Sequence, residues 1–278
     1  MPQRPRQPPT AEGRGRRRLA GQRAVVTGGS SGVGRAVAIA LARRGVRVLA
    51  TARRADQLAA LAAERLPSPA APIEVFAGDI TLPETRRGLL DRVGQLFGGV
   101  DIVVAAAGSG AIGSFRDAGA ETLRQIMEID FFAPAELVRE SLPLLDRGND
   151  PAIVLVGSIL GYHPLPLHAE YCAAKAALKS LAESLHEELA TEGIDVLLAS
   201  LGPTESGFWG SLVRGQRPAW SRGRALTATA TAEAIVAGLE RRRREILPGW
   251  SAKGFALAAR LAPRLIDVVV RSRMRGPA

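Results

Sequence analysis

From Arg23 onward, short runs of aliphatic and β-branched residues alternate with longer stretches in which alanine and leucine recur at helical spacing. The mostly apolar runs at 24–27, 46–51, 73–77, 100–105, 152–156, 194–200 and 245–247 read as strands buried on both faces. The stretches at 32–44, 55–65, 83–97, 121–146, 169–192 and 231–243 predict helices. Such regular alternation implies parallel strands joined by right-handed crossovers, so the expected fold is α/β, a doubly wound parallel sheet of about seven strands with helices on both faces. In that architecture ligands bind beyond the carboxyl ends of the strands, where the strand order reverses.

Composition narrows the class. With 278 residues the chain can bury a substantial core as one domain, and its 46% hydrophobic and 23% charged residues match ordinary globular usage. We expect a flexible basic tail over 1–20, a single domain over 21–248, and an amphipathic C-terminal extension over 249–278. The net charge of +10 suggests nucleic acid or an anionic membrane as a partner. Its distribution argues otherwise. Seven arginines crowd the first 23 residues among prolines and glycines, lysine occurs only at 175, 179 and 253, and no nucleic-acid-reading motif accompanies the charge. No nucleic-acid partner is expected. Cys172 is the only cysteine, which excludes an intrachain disulfide and a thiolate metal cluster. No apolar leader or spanning stretch is evident, and a cytoplasmic protein is expected.

Three features carry chemistry. The first strand runs into Thr27-Gly28-Gly29-Ser30-Ser31-Gly32-Val33-Gly34 and then directly into a helix. Glycines there let a pyrophosphate lie against backbone amides at the helix N-terminus, so Gly28, Ser30, Ser31, Gly32, Val33 and Gly34 are expected to bind a dinucleotide. After the second strand, where an acid would bond a free ribose hydroxyl, the chain has Arg53 and Arg54, which suit a 2′-phosphate; NADP(H) is expected over NAD(H). Tyr171 and Lys175 lie four residues apart on one helix face, and the ammonium is expected to lower the phenol pKa so that Tyr171 exchanges protons near neutrality. Ser158, closing the fifth strand, would hydrogen-bond the reacting oxygen.

Taken in order, Thr-Gly-x-x-x-Gly-x-Gly at 27–34, Asp79-Ile80, Ala-Ala-Gly at 106–108, Ser158 and Tyr171-Cys172-Ala173-Ala174-Lys175 resemble the classical short-chain dehydrogenase/reductase family from about residue 21 to 248. The resemblance implies a Rossmann-like domain and an oxidoreductase interconverting a carbonyl and a secondary alcohol. Tyr171 would be the acid/base, Lys175 the ribose ligand, and Ser158 the substrate-orienting hydroxyl. Asp79 and Ile80 would contact adenine, and Ala106 and Gly108 would border the adenosine. It also implies a homodimer or homotetramer through the fourth and fifth helices.

Three positions depart from the family pattern. Ala105-Ala106-Ala107-Gly108 replaces Asn-Asn-Ala-Gly, removing an amide that braces the sheet. Asp130 stands where an asparagine helps hold a relay water, which makes Asp130 a catalytic candidate. Leu201-Gly202 replaces Pro-Gly, with Gly202 and Thr204 as further cofactor contacts.

The remaining features read more plainly. The segment 202–223, rich in glycine and proline and carrying Phe208, Trp209 and Trp220, is expected to form a lid over a lipophilic substrate. His163, His168 and His186 lack metal-ligand spacing, so no metal is expected. The run Arg241 to Arg244 reads as a solvated helix end. The extension is expected to pack on the body or a partner subunit, with peripheral membrane contact as the other reading. A cofactor-binding regulatory or scaffold protein with little turnover is the alternative function.

Overall fold

The computed structural model describes residues 15–68, 70–217 and 225–274. Its centre is a seven-stranded, all-parallel sheet in which β1 (Arg23–Thr27), β2 (Arg47–Ala52), β3 (Ile73–Ala77), β4 (Ile102–Ala105), β5 (Ala152–Ser158), β6 (Asp195–Leu201) and a short edge strand at Glu245–Ile246 take the order β3-β2-β1-β4-β5-β6-edge. The order reverses between β1 and β4. The crossover helices are α1 (Gly32–Ala42), α2 (Ala55–Ala62), α3 (Pro83–Phe97), α4 (Ala120–Met127), α5 (Ala133–Leu145), α6 (Ala169–Ala190) and α7 (Ala228–Glu240). Two further helices, α8 (Trp250–Leu261) and α9 (Pro263–Met274), follow the sheet.

Both faces of the sheet are buried, and successive residues of a strand serve opposite cores. On β1, Ala24 and Val26 join one cluster with Val48, Val104 and Val154, while Val25 faces the other with Leu49, Val103 and Ile153. This period of two inside a wholly apolar run explains why the strands show no polar alternation. α3 is bounded as its sequence suggests, by Pro83 in the first turn and by Gly98 at φ 73° after the last.

Three expectations change. The helix foreseen over 121–146 is interrupted: a wide π turn, Glu128–Phe132, separates α4 from α5. Pro134 has no N–H to give the carbonyl of Asp130, the α-helical partner four residues earlier, and the ladder widens there. The turn carries the Asp130 side chain into full burial.

The expected tail over 1–20 does not hold for its described residues. Arg17 and Leu19 are 3% and 5% exposed, and Leu19 belongs to the core. Residues 1–14 lie outside the described residues. Arg242 is not a solvated helix end either: at φ 52° it turns back to bond Gly15, Asp150 and Asp195.

Candidate active site

All the site residues anticipated from the sequence border one cleft of about 1240 Å³ at the carboxyl ends of the strands. Ser158 ends β5; its Oγ accepts the Leu160 N–H at 3.1 Å, and its hydroxyl acts on Tyr171 to favour the phenolate. Tyr171 and Lys175 project from adjacent turns of α6, with Nζ 5.8 Å from the phenol ring centre. Lys175 donates to the Val156 carbonyl at 3.1 Å and pairs with Asp130 Oδ1 at 2.9 Å. The other carboxylate oxygen accepts the Ser109 N–H at 3.3 Å. Gly108 makes this approach possible, since a Cβ there would stand 2.7 Å from Asp130 Oδ1.

The electrostatics of this cluster differ from the simple tyrosine and lysine picture. Burial pushes the Tyr171 pKa up; Lys175 and the Ser158 hydrogen bond pull it down, Asp130 adds to the rise, and the net shift is upward. The expected depression is therefore present as a component but is outweighed. Burial also raises Asp130, opposed by the Lys175 charge and the Ser109 N–H. For Lys175 burial acts downward, but the charges of Asp130 and Tyr171 overcome it and the ammonium is held more firmly.

At the other end of the cleft the glycine-rich turn forms a close-packed cradle. A Cβ on Gly34 would lie 2.5 Å from the Gly28 carbonyl oxygen, so only glycine allows α1 to start this near β1. Arg54 leans across the turn, donating to Ser30 Oγ at 3.0 Å and Ser31 Oγ at 2.6 Å. Arg53 is 70% exposed in its side chain and stands 3.9 Å from Asp79, whose other oxygen accepts two bonds from Thr81. The brace missing from Ala105 to Ala107 is supplied by Thr27, whose Oγ1 accepts both the Ala106 and Ala107 N–H groups at 3.0 Å.

The substrate end is walled by two segments. Phe208 packs edge-on against Tyr171 with ring centres 5.6 Å apart, and Trp209 packs on Phe208 at 5.4 Å. These are the expected lid aromatics; Trp220 lies outside the described residues. The second wall was not foreseen. Phe255, Ala258, Ile266 and Val270 of α8 and α9 line the cleft. The hairpin is pinned by His163, which bonds Asp267 at 3.0 Å and packs against Phe255. His168 also borders the cleft, with Nδ1 2.9 Å from the Pro166 carbonyl, and burial lowers its pKa.

The family profile described as short chain dehydrogenase matches residues 22–217. The chain belongs to the short-chain dehydrogenase/reductase family. Among relatives, this dehydrogenase/reductase is 31% identical over 183 residues to an uncharacterised oxidoreductase of Staphylococcus epidermidis, covering 66% of this chain and 78% of that one. It is 36% identical over 173 residues to an uncharacterised oxidoreductase of Myxococcus xanthus, covering 62% and 68%.

The structure of a short-chain dehydrogenase from Streptomyces avermitilis superposes with a TM-score of 0.78 at 27% identity, covering 92% of this chain and 98% of that chain. An alcohol dehydrogenase from the archaeon Thermococcus sibiricus, complexed with 5-hydroxy-NADP, superposes with a TM-score of 0.72 at 25% identity, covering 81% and 94%. The protein is accordingly an oxidoreductase of a family that binds nicotinamide cofactors and acts on small molecules. The glycine cradle and the Arg54, Ser30 and Ser31 cluster fit such a group. Among the described residues there is neither a metal-ligand cluster nor a helix long and apolar enough to cross a membrane.

Proposed function

We propose that this dehydrogenase/reductase interconverts a carbonyl and a secondary alcohol on a lipophilic small molecule, using NADP(H), with Tyr171 as general acid/base. The observation that carries this reading is the meeting of Ser158, Tyr171, Lys175 and Asp130 at one end of a cleft whose other end is the glycine cradle. A bound nicotinamide supplies or accepts the hydride. Tyr171 donates its phenolic proton to the carbonyl oxygen in reduction and recovers one in oxidation. Ser158 holds the same oxygen by a hydrogen bond and sets its distance from the phenol.

Lys175 would hold the ribose hydroxyls of the cofactor and stabilise the Tyr171 phenolate. Asp130 holds the Lys175 ammonium in place and keeps it charged. The glycine turn, Val33, Ile80, Ala106, Gly202 and Thr204 shape the rest of the cofactor cleft.

The NADP(H) preference is assigned chiefly to Arg54 rather than Arg53. Arg54 and the two serines gather cationic and hydroxyl donors in one place, the chemistry a 2′-phosphate needs, while Arg53 extends into solvent near Asp79. Phe208, Trp209, Phe255 and Ile266 make the substrate end apolar, which favours an aliphatic or aromatic ketone. A cytoplasmic location follows the sequence reading, and self-association through the helices expected at 121–146 and 169–192 follows the family pattern; exposed Leu123 on α4 and Phe132 on the π turn offer an apolar surface for a second copy.

The test is to titrate the purified chain with NADPH and NADH, then follow NADPH oxidation with a panel of apolar ketones and aldehydes for wild type and Tyr171→Phe. Tighter binding of NADPH and a drop in turnover of about 10³-fold in the variant are expected. NADPH binding without turnover in either form would replace this reading by that of a regulatory or scaffold protein.

A further inference from the structure

The hairpin that walls the cleft presents a second, outward face. Trp250 is 88% exposed, Leu257 58%, Leu261 76% and Val268 62%. On α8 the positions 250, 253 or 254, 257 and 261 recur at helical spacing, so Trp250, Leu257 and Leu261 lie along one side. Lys253, Arg260, Arg264 and Arg271 are exposed among them, and Lys253 Nζ sits 5.2 Å over the Trp250 ring. From 250 to 271 the sequence has one acid, Asp267, and His163 holds it at 3.0 Å.

We propose that the α8 and α9 hairpin docks this protein on the surface of an anionic lipid membrane. A tryptophan and long aliphatic side chains set among lysine and arginine are what an interfacial helix needs, because the apolar side enters the acyl boundary while cations meet the headgroups. Self-association through the same patch is opposed by its charge. A two-fold interface brings a patch against itself, and here four cations would meet four with one acid per patch already engaged by His163. The helices are 12 residues each and break at Pro263, which fits lying on a bilayer rather than spanning it. Docking would set the cleft wall formed by Phe255, Ala258, Ile266 and Val270 next to the lipid.

The experiment is co-sedimentation of the full-length chain with vesicles of phosphatidylcholine alone and with about 30% phosphatidylserine, at low and high salt. Binding to the anionic vesicles, weakened by salt, is expected. Trp250→Ser with Leu257→Ser and Leu261→Ser should reduce it by roughly tenfold or more. Lys253→Glu with Arg260→Glu and Arg264→Glu should remove the preference for phosphatidylserine. None of these six side chains lines the cleft, so NADPH affinity reports whether each variant is folded. If the serine variant does not fold, the charge-reversed variant decides.

The proposal is overturned if wild type binds neither vesicle. It is also overturned if both variants bind like wild type, which would move binding to the basic N-terminal segment. A third overturning result is that the serine variant only dissociates an oligomer, seen by light scattering, with vesicle binding unchanged. Because vesicle binding is read without substrate, its failure is distinct from failure of the proposed reaction.

Discussion

At the amino ends of β5 and β6, Arg17 and Arg242 close on Asp150 and Asp195; at the carboxyl ends of the same strands, Lys175 and Asp130 face a cleft. In the first region every charge is answered by the protein itself. Arg17, with no exposed side-chain surface, donates to the Asp150 carbonyl oxygen and to Asp195 at 2.5 Å, while Arg242 reaches Asp195 at 2.5 Å and Asp150 at 2.6 Å. Asp150 and Arg242 both sit at positive φ, 57° and 52°, a backbone cost that the mutual pairing offsets. In the second region an ammonium with three N–H bonds has one carbonyl and one carboxylate as protein partners, and the cleft lies beside it. Ion pairs can thus complete a fold at one end of the sheet and leave binding capacity at the other.

The largest effect that would break this comparison is at Lys175. Lys175→Met should abolish turnover, by about 10³-fold, and also destabilise the apo protein by roughly 3–5 kcal/mol, because Asp130 is left buried without its partner. Adding Asp130→Asn to that variant should restore much of the stability and none of the activity. Thermal unfolding and kinetics on the four proteins of the cycle check both halves.

At the opposite end Arg17→Met should cost about 2 kcal/mol, since Asp150 and Asp195 keep Arg242 and some solvent, with NADPH affinity unchanged. A loss of cofactor affinity there would mean that the two ends are coupled.

A subtler effect sharpens the electrostatics. Asp130 raises the Tyr171 pKa, so Asp130→Asn should lower it. Reduction requires the protonated phenol, so the alkaline limb of kcat/KM should move to lower pH in the variant. An unmoved limb would show that Asp130 only positions Lys175.

The smallest expected effect concerns His168, whose folded pKa lies below its ordinary 6.5 because of burial. A depressed histidine contributes stability that is full above the unfolded value and is lost as pH falls through the folded one. Melting temperature should therefore decline as pH drops below 6.5, and His168→Asn should flatten that decline.

Much of this was legible from residue order. Strand and helix positions followed from period and composition because each crossover helix and each buried strand carries its own apolar pattern. The glycine turn, Ser158, Tyr171 and Lys175 were legible because their chemistry demands fixed local geometry: glycine where backbone must approach, and one helical turn between phenol and ammonium. Arg54 and Arg53 were indistinguishable as neighbours in sequence. Their different reach depends on Ser30 and Ser31, brought over by the β1 to β2 pairing. Thr27 was not recognised as the brace for Ala106 and Ala107 because that bond spans β1 and β4.

By itself, then, the sequence determined the alternating architecture, the glycine-rich turn and the spacing of Tyr171 and Lys175 on one helix, all set by short-range order. Tertiary structure alone decided three further matters. It buried Tyr171, which turned the net shift of its pKa upward, and it set Asp130 on a π turn against Lys175, which adds to that rise. It drew Arg17 out of the apparent tail, and it folded α8 and α9 over the cleft. Each depends on burial or on pairing between residues far apart in the chain, and desolvation and long-range charge are properties of the packed molecule, not of any local segment.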